Sequence, residues 1–224
     1  MSIVRRPKFG LCLAALVLAS AVFVGCESAS KTRRSEIQSP DALARQVAEA
    51  RQMALVASDT ARKAAQQRDK GKDAEAQRLS HTAIEQYRRA ISLSPDMPEV
   101  WNNLGVELMR VQDYLGASEA FSMAMQLSPT DPRPAENLAL VYDRTGWAEE
   151  SLRYYDMALE RSPNYLPALR GAIKASHLLS EADEKRLEQV RRALMIETDP
   201  KLREFFGREQ VRILGRLERT TRQR

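Results

Sequence analysis

Small, aromatic and proline positions recur along the middle of the chain at one fixed interval. Alanine stands at residues 90, 124 and 158, which are 34 residues apart, and an aromatic residue precedes each alanine by three positions. A serine–proline pair follows each alanine at the same distance and ends at Pro95, Pro129 and Pro163. The chain shows no clear alternation of apolar and polar residues, which would indicate a strand, so the regular spacing predicts helices. The predicted helices cover residues 42–77, 80–93, 98–111, 114–127, 132–145, 148–161, 166–179, 182–196 and 200–218.

A 34-residue period with these residue types resembles the tetratricopeptide repeat. One unit carries Trp101, Leu104, Gly105, Ala117, Phe121, Ala124 and Pro129 at the offsets of that family, and the next carries Leu138, Ala139, Tyr142, Ser151, Tyr155, Ala158 and Pro163. Gly71, Ala83, Tyr87, Ala90 and Pro95 mark an upstream unit, while Leu169, Ala172 and Ile173 begin a fourth unit that loses register after His177. The resemblance covers roughly residues 64–195. It implies an all-α fold: a right-handed superhelix, or α-solenoid, of stacked antiparallel helix pairs with capping helices.

The spacing has a physical explanation in helix packing. Small residues such as Gly105 and Ala139 allow two helices to cross closely, and aromatic residues such as Phe121 and Tyr155 fill the space between units. One helix pair cannot bury its apolar face alone, so each unit stacks on its neighbours.

The N-terminal residues predict an export signal. Arg5, Arg6 and Lys8 precede an apolar run of sixteen residues, 9–24, which is short for a membrane span and typical of a signal peptide. The run ends in Phe23-Val24-Gly25-Cys26, which looks like the lipidation motif of bacterial lipoproteins, although Phe23 departs from the usual leucine. The resemblance implies lipidation of Cys26 and, in a Gram-negative cell, an outer-membrane location facing the periplasm. An uncleaved membrane anchor is the alternative.

The remaining segments follow in order. Residues 1–25 are predicted as the signal peptide, 26–40 as a lipidated cysteine with a flexible tether, 41–63 as an alanine-rich helix, 64–195 as the repeat domain and 196–224 as a basic capping helix. The alanine-rich helix carries a seam made of Leu43, Val47, Ala50, Ala54, Ala57, Ala61 and Ala64. This seam predicts either a helix packed on the first repeat or a surface for self-association and a homo-oligomer.

Charge and residue types argue against several function classes. The net charge of +5 comes from the two ends, since residues 1–25 carry three basic and no acidic residues and residues 201–224 carry eight basic and three acidic ones. The body between them is therefore mildly acidic. The arginines of the last predicted helix suggest either nucleic acid or a membrane surface as a partner, or a solvated capping helix, which is favoured because an exported protein rarely meets nucleic acid. His81 and His177 are the only histidines and have no metal-binding spacing. With no catalytic motif, the sequence predicts neither an enzyme nor a cofactor or metal site.

The resemblance implies a ligand-binding groove on the concave face, which the first helix of each unit forms. The ligand-contacting positions of the family correspond to Arg68, Lys72, Asn102, Asn103, Met109, Arg110, Arg133, Glu136, Asn137, Asp143, Arg144, Arg170 and Lys174. Arg68, Lys72, Asn103, Arg133 and Asn137 occupy the places of the family's clamp for a peptide carboxylate, and Lys72 and Asn137 depart from the usual types. The groove is interpreted either as a site for an acidic or extended peptide or as a polar, solvated face.

These observations together predict an interaction module that performs no chemistry. The chain resembles lipid-anchored repeat proteins that bind a segment of a partner protein during assembly of envelope complexes such as pili or secretion machines. The alternative is a structural envelope protein that associates with itself through the alanine-rich helix.

Overall fold

The computed structural model describes residues 39–223, which form nine α-helices and no strand. The helices are α1 (Pro40–Asp69), α2 (Asp73–Leu93), α3 (Pro98–Arg110), α4 (Tyr114–Leu127), α5 (Arg133–Thr145), α6 (Ala148–Arg161), α7 (Leu166–Leu178), α8 (Glu184–Ile196) and α9 (Pro200–Arg222). Cys26 and the predicted signal peptide lie outside the described residues, as does most of the tether. The all-α class predicted from the sequence is confirmed for the described chain.

The helices pack as consecutive pairs stacked into a solenoid. α1 packs on α2, α3 on α4, α5 on α6 and α7 on α8, and each pair contacts the next. The short turns inside each pair require antiparallel neighbours. α9 follows α8 and closes the stack, because Phe206 and Ile213 on its inner side are fully buried in the same core as Ile173 of α7 and Val190 of α8.

Two apolar clusters run through the stack and meet in α5. The first joins buried side chains from α1 to α5 and includes the fully buried Phe121, and the second joins α5 to α9 and includes Tyr155. A β-carbon at Gly105 would lie 2.6 Å from the Phe121 ring, and one at Gly171 would lie 2.1 Å from the Tyr155 ring. These glycines are therefore required for the close approach of helices.

The first helix pair differs from the prediction at its turn. α1 ends at Asp69 rather than at residue 77, and α2 begins at Asp73 rather than at residue 80. Gly71 has φ of +70°, a left-handed conformation that glycine adopts without steric cost, and Lys72 N–H donates to the Gln67 carbonyl at 2.9 Å. The predicted helix over residues 42–77 was therefore wrong at its end, because Gly71 lies in a turn between α1 and α2.

Other helix boundaries in the structure also differ from the predicted ones. α1 is continuous across residues 63 and 64, so no helix end separates the predicted alanine-rich helix from the repeat region. The fourth unit is a complete pair, with a turn at residues 179–183 in which Ser180 has φ of +56°. That turn delays α8 to Glu184, which explains the loss of register after His177 in the sequence. α9 continues four residues beyond its predicted end at 218, to Arg222.

The alanine seam lies inside the chain. Ala50, Ala57, Ala61 and Ala64 are the buried residues of α1, and α1 packs along the length of α2. Leu43, at the start of the predicted seam, is exposed. Most of the surface proposed for self-association is therefore already covered by the helix pair itself.

Candidate functional site

The first helices of the pairs form one continuous face of the solenoid. α1 contacts α3, α3 contacts α5 and α5 contacts α7, whereas successive second helices approach one another at most marginally. In a curved stack the layer whose members lie closer together is the concave one. We refer to the side formed by α1, α3, α5 and α7 as the inner face.

Two asparagines join neighbouring units across the inner face. The Asn137 Nδ2 atom of α5 donates a hydrogen bond of 2.9 Å to Asn102 Oδ1 of α3. Asn102 is 7% exposed, so the bond satisfies an amide that has left bulk water. The sequence placed both residues in the groove, and the structure brings them together as a link between units.

Arg170 is held by a buried carboxylate. Its guanidinium donates two hydrogen bonds to Glu197, from Nε to Oε2 at 2.6 Å and from Nη2 to Oε1 at 2.7 Å. The Glu197 side chain is 0% exposed and also accepts the backbone N–H groups of Thr198 and Asp199. Arg170 and these N–H groups lower the pKa of Glu197 to about 2. Arg170 therefore fastens the segment between α8 and α9 to α7.

Arg133 is also engaged within the chain. Its Nε atom lies 3.0 Å from both carboxylate oxygens of Asp131, and its Nη2 atom donates to Asp131 Oδ2 at 2.7 Å. The pKa of Asp131 is lowered, because the hydrogen bonds from Arg133 outweigh the opposing effect of burial. The sequence treated Arg133 and Arg170 as groove cations, but both already have a carboxylate partner.

A group of arginines lies at the ends of the inner helices. Arg68, Arg110 and Arg144 occupy the last turns of α1, α3 and α5 and line a cavity of about 220 Å³ together with Met109. Arg110 forms an ion pair with Glu107, a side chain that is 2% exposed and whose Oε2 atom has no hydrogen-bond partner in the described chain. Arg68 Nη2 donates to Ser80 Oγ at 3.3 Å.

Among residues 39–223 the exposed cations of the predicted groove that have no ion pair are Arg144, Lys174 and Lys72, and of these Arg144 and Lys174 lie on inner helices. Asp143 is likewise exposed. Lys72 differs from all of these, because it is the N-cap residue of α2 and lies in the turn after α1. The placement of Lys72 on an inner helix was wrong, since α1 ends at Asp69 and the left-handed Gly71 lies in the turn that follows.

The five residues matched to a carboxylate clamp have separate environments. Arg68 donates to Ser80, and Lys72 lies in a turn. Arg133 is bound to Asp131, and Asn137 is bound to Asn102. Asn103 is partly buried between α2 and α3, near Tyr87 and Arg110. The contacts in the described chain do not direct these side chains to one shared anion.

Glu136 is a partly buried carboxyl group of the inner face. It lies in the first turn of α5, and burial raises its pKa to about 7. Burial and, after it, the negative charges of Asp143 and Glu136 raise the pKa of Tyr155, and burial and Glu136 also raise that of Tyr165. The sequence analysis predicted Glu136 as a groove residue but did not place Tyr155 and Tyr165 near it. It also did not single out Gly171, although Gly171 follows Asn137 by the repeat length of 34 residues.

Among residues 39–223 no group of His, Cys, Asp and Glu side chains is arranged to hold a metal ion. No helix in the same range has the length and apolar content that crossing a membrane requires. His177 contacts Glu209 of α9, with 2.8 Å between Nδ1 and Oε1, and so joins α7 to the closing helix.

Comparison with known proteins identifies the repeat. A family model described as "TPR repeat" matches residues 81–111, and one described as "Tetratricopeptide repeat" matches residues 135–165. The chain contains tetratricopeptide repeats. The two matches cover the end of the first unit, the beginning of the second and most of the third.

The similar proteins match at low identity. The human Superkiller complex protein 3 is 23% identical over 118 residues, which are 50% of this chain and 8% of that protein. A crystal structure of MamA covers 58% of this chain and 90% of its own, with 19% identity and a TM-score of 0.45. The first TPR of Spaghetti (RPAP3), bound to the HSP90 peptide SRMEEVD, covers 58% of this chain and 95% of its own, with 22% identity and a TM-score of 0.46.

Proposed function

We propose that this chain is a protein-interaction scaffold that binds an extended segment of a partner protein along its inner face. Tetratricopeptide repeats form scaffolds for protein–protein interaction, and this chain carries them. The observation that carries the proposal is the inner face itself, where α1, α3, α5 and α7 present polar side chains from successive units on one surface. A repeated surface of this kind suits an extended ligand, because equivalent positions recur along its length.

The cations available for binding are fewer than the sequence suggests. Arg133 is bound to the neighbouring Asp131 and Arg170 to the buried Glu197, so replacing either of them removes an internal ion pair as well as a cation of the inner face. Arg144 and Lys174 are exposed, and neither has an ion pair among the described residues. These two residues are the informative positions for a binding test, since their replacement leaves the internal contacts unchanged.

The test is a crosslinked pull-down with the full-length chain. We expect a partner that is captured by the wild type to be lost or strongly reduced with Arg144→Glu/Lys174→Glu. The matched control is Arg89→Glu/Arg191→Glu, which makes the same charge change at exposed positions of α2 and α8 in the outer layer. Equal capture by both double variants would contradict binding at the inner face.

We further propose that Cys26 carries a lipid and places the scaffold on a bacterial membrane, in the outer membrane facing the periplasm if the cell is Gram-negative. The basic residues, the apolar run and Gly25-Cys26 support this proposal. The partner would then be a component of an envelope complex such as a pilus or secretion machine. We expect Cys26→Ser to move the chain from the membrane fraction or to prevent its maturation, whereas Cys12→Ser leaves the fractionation unchanged. Unchanged fractionation of both variants would contradict the anchor.

A further inference from the structure

One position of the inner face carries a different polar residue in each of three successive units, and the three side chains differ in whether they have a hydrogen-bond partner. Asn102 of α3, Glu136 of α5 and Arg170 of α7 follow one another at the repeat length of 34 residues. Asn102 accepts a hydrogen bond from Asn137 of the next unit, and Arg170 is bound to Glu197. The Glu136 carboxylate forms no hydrogen bond or ion pair with any residue from 39 to 223.

The missing partner of Glu136 has a structural cause. Asn137 reaches back to Asn102 from the next unit, and the equivalent residue one repeat later is Gly171. A β-carbon at Gly171 would lie 2.1 Å from the Cζ atom of Tyr155, so no side chain can occupy this place. The packing of Tyr155 therefore excludes the residue that would otherwise hydrogen-bond to Glu136.

The environment of Glu136 favours a positive partner from outside the chain. The residue is partly buried and burial raises its pKa to about 7, which shows that the ionised form is poorly solvated. Its carboxyl oxygens are not among the sealed polar atoms of the described chain that lack a partner, so they retain contact with solvent. A carboxylate in such a place gains more from an incoming cation than a fully solvated one does.

We propose that Glu136 anchors a lysine or arginine side chain of the segment that the inner face binds, an inference that rests on the proposed function above. The nearby cations Arg133 and Arg170 are held by Asp131 and Glu197 and do not neutralise Glu136. A metal ion fits less well, because no cluster of three possible ligands exists among residues 39–223. The charge of Glu136 acts on both Tyr155 and Tyr165. Tyr155 is 2% exposed, whereas the partly exposed Tyr165 suits the aliphatic stem and the charge of a long basic side chain.

The experiment measures retention of the full-length chain on immobilised heptapeptide pools. The pools are randomised except at the centre, which is lysine, arginine, glutamate or norleucine. We expect the wild type to prefer the lysine and arginine pools over the glutamate pool by about tenfold at low salt. Glu136→Gln, which keeps the shape and removes the charge, should reduce that preference to less than about twofold. The matched control is Glu119→Gln at an exposed position of α4, which should retain the wild-type preference.

A charge-reversal variant distinguishes a specific role of Glu136 in binding from a loss of binding caused by unfolding. Glu136→Lys, verified as helical by circular dichroism, should reverse the preference and favour the glutamate pool. A preference for basic centres that survives in Glu136→Gln overturns the assignment of Glu136, as does a preference of the wild type for the glutamate pool. Both outcomes leave the scaffold function standing, because a peptide is still bound. Retention on no pool overturns the peptide-binding function and the role of Glu136 with it.

Discussion

The middle of the solenoid and its C-terminal end use the same kinds of side chain for different purposes. Around α3 to α5 the inner face keeps Glu136 and Arg144 without an ion pair among the described residues. Around α6 to α9 comparable groups are paired, as Arg170 with Glu197, Asp156 with Arg186 and His177 with Glu209. The end of the stack thus uses these charges to join helices that are far apart in sequence. The ion pairs of the middle, Arg110 with Glu107 and Arg133 with Asp131, are local, and Glu136 and Arg144 remain available to a ligand.

The difference follows from the neighbours of each region. A middle unit has a unit on both sides and is stabilised mainly by apolar packing, with Phe121 fully buried at its centre. The last unit has only α9 beyond it. This single helix buries Phe206 and Ile213 and adds polar contacts, such as Arg212 Nη2 to the Glu181 carbonyl at 2.7 Å and Arg216 Nη1 to the Ser180 carbonyl at 2.8 Å. Equivalent repeat positions therefore do not have equivalent roles.

The largest effect is expected from the apolar core of the middle. Phe121→Ala leaves a cavity between α3 and α4 and should lower the free energy of unfolding by about 3–5 kcal/mol. Phe121→Leu is the matched control and should have a clearly smaller effect, because it keeps most of the volume. Chemical denaturation followed by circular dichroism measures both. An unchanged midpoint for Phe121→Ala would contradict the assigned packing around Gly105.

A somewhat smaller effect is expected from the polar closure of the end. Arg170→Met removes the guanidinium from the fully buried Glu197 and should lower the free energy of unfolding by about 2–4 kcal/mol, since a buried carboxylate loses its charged partner. Lys174→Met, at an exposed position one helical turn further along α7, is the control and should have little effect. If the two variants melt alike, the closure of the end does not depend on this ion pair.

Acid should destabilise the C-terminal end of the solenoid by protonating Glu197. The pKa of Glu197 is about 2 in the folded chain and 4.5 for an ordinary glutamate, so its stabilisation is complete above about pH 4.5 and is lost as the pH falls towards 2. The loss should amount to roughly 2–3 kcal/mol. Glu197→Gln should remove this part of the pH dependence in denaturation curves recorded between pH 2 and 5. A variant with the same acid sensitivity as the wild type would argue against the depressed pKa.

The smallest effect on stability is expected at Glu136. Here the free energy of unfolding changes with pH in the direction opposite to that expected for Glu197. Its folded-state pKa of about 7 exceeds the ordinary value of 4.5, so the free energy of unfolding should fall as the pH rises from 4.5 to 7. At pH 8 Glu136→Gln should therefore stabilise the chain by about 1–2 kcal/mol. At pH 4 the two proteins should be alike, and a destabilised Gln variant at pH 8 would show that Glu136 has a partner after all.

The ionisation of Glu136 should also make peptide binding depend on pH. Retention on the lysine pool should increase from pH 6 to pH 8, because the carboxyl group must ionise to attract the cation. The charge of Glu136 acts on Tyr155 and Tyr165. Asp143 also acts on Tyr155, and Arg133 and Asp131 also act on Tyr165. The two tyrosines titrate above this range because burial raises their pKa, and the arginine stays charged, so the change is assigned to Glu136.

Much of the fold could be predicted from residue spacing, and the exceptions have local causes. The ranges predicted for α3, α4, α6 and α7 agree with the structure to within one residue at each end. The end of α1 was missed because Gly71 occurs at a repeat position that is helical in other units, and only its left-handed conformation reveals a turn. The delay of α8 has the same kind of origin in the turn that contains Ser180.

The candidate site was less predictable than the fold. The sequence identified the residues of the inner face, including Asn102, Asn137 and Glu136, because repeat positions are counted along the chain. It did not identify Glu197 as the partner of Arg170, since a carboxylate 27 residues away has no fixed offset in the repeat. Asp131, two residues before Arg133, lies close in sequence and could have been recognised as its partner.

The sequence by itself determined the helical pairs and the order in which they stack, because the 34-residue pattern of small, aromatic and proline residues already contains the packing of one unit on the next. Tertiary structure alone decided which charged side chains are available. A salt bridge depends on the distance between two side chains after folding, and Arg170 and Glu136 occupy equivalent positions with opposite results. The ring of Tyr155 beside Gly171 leaves Glu136 without a partner, and that arrangement exists only once the units have packed.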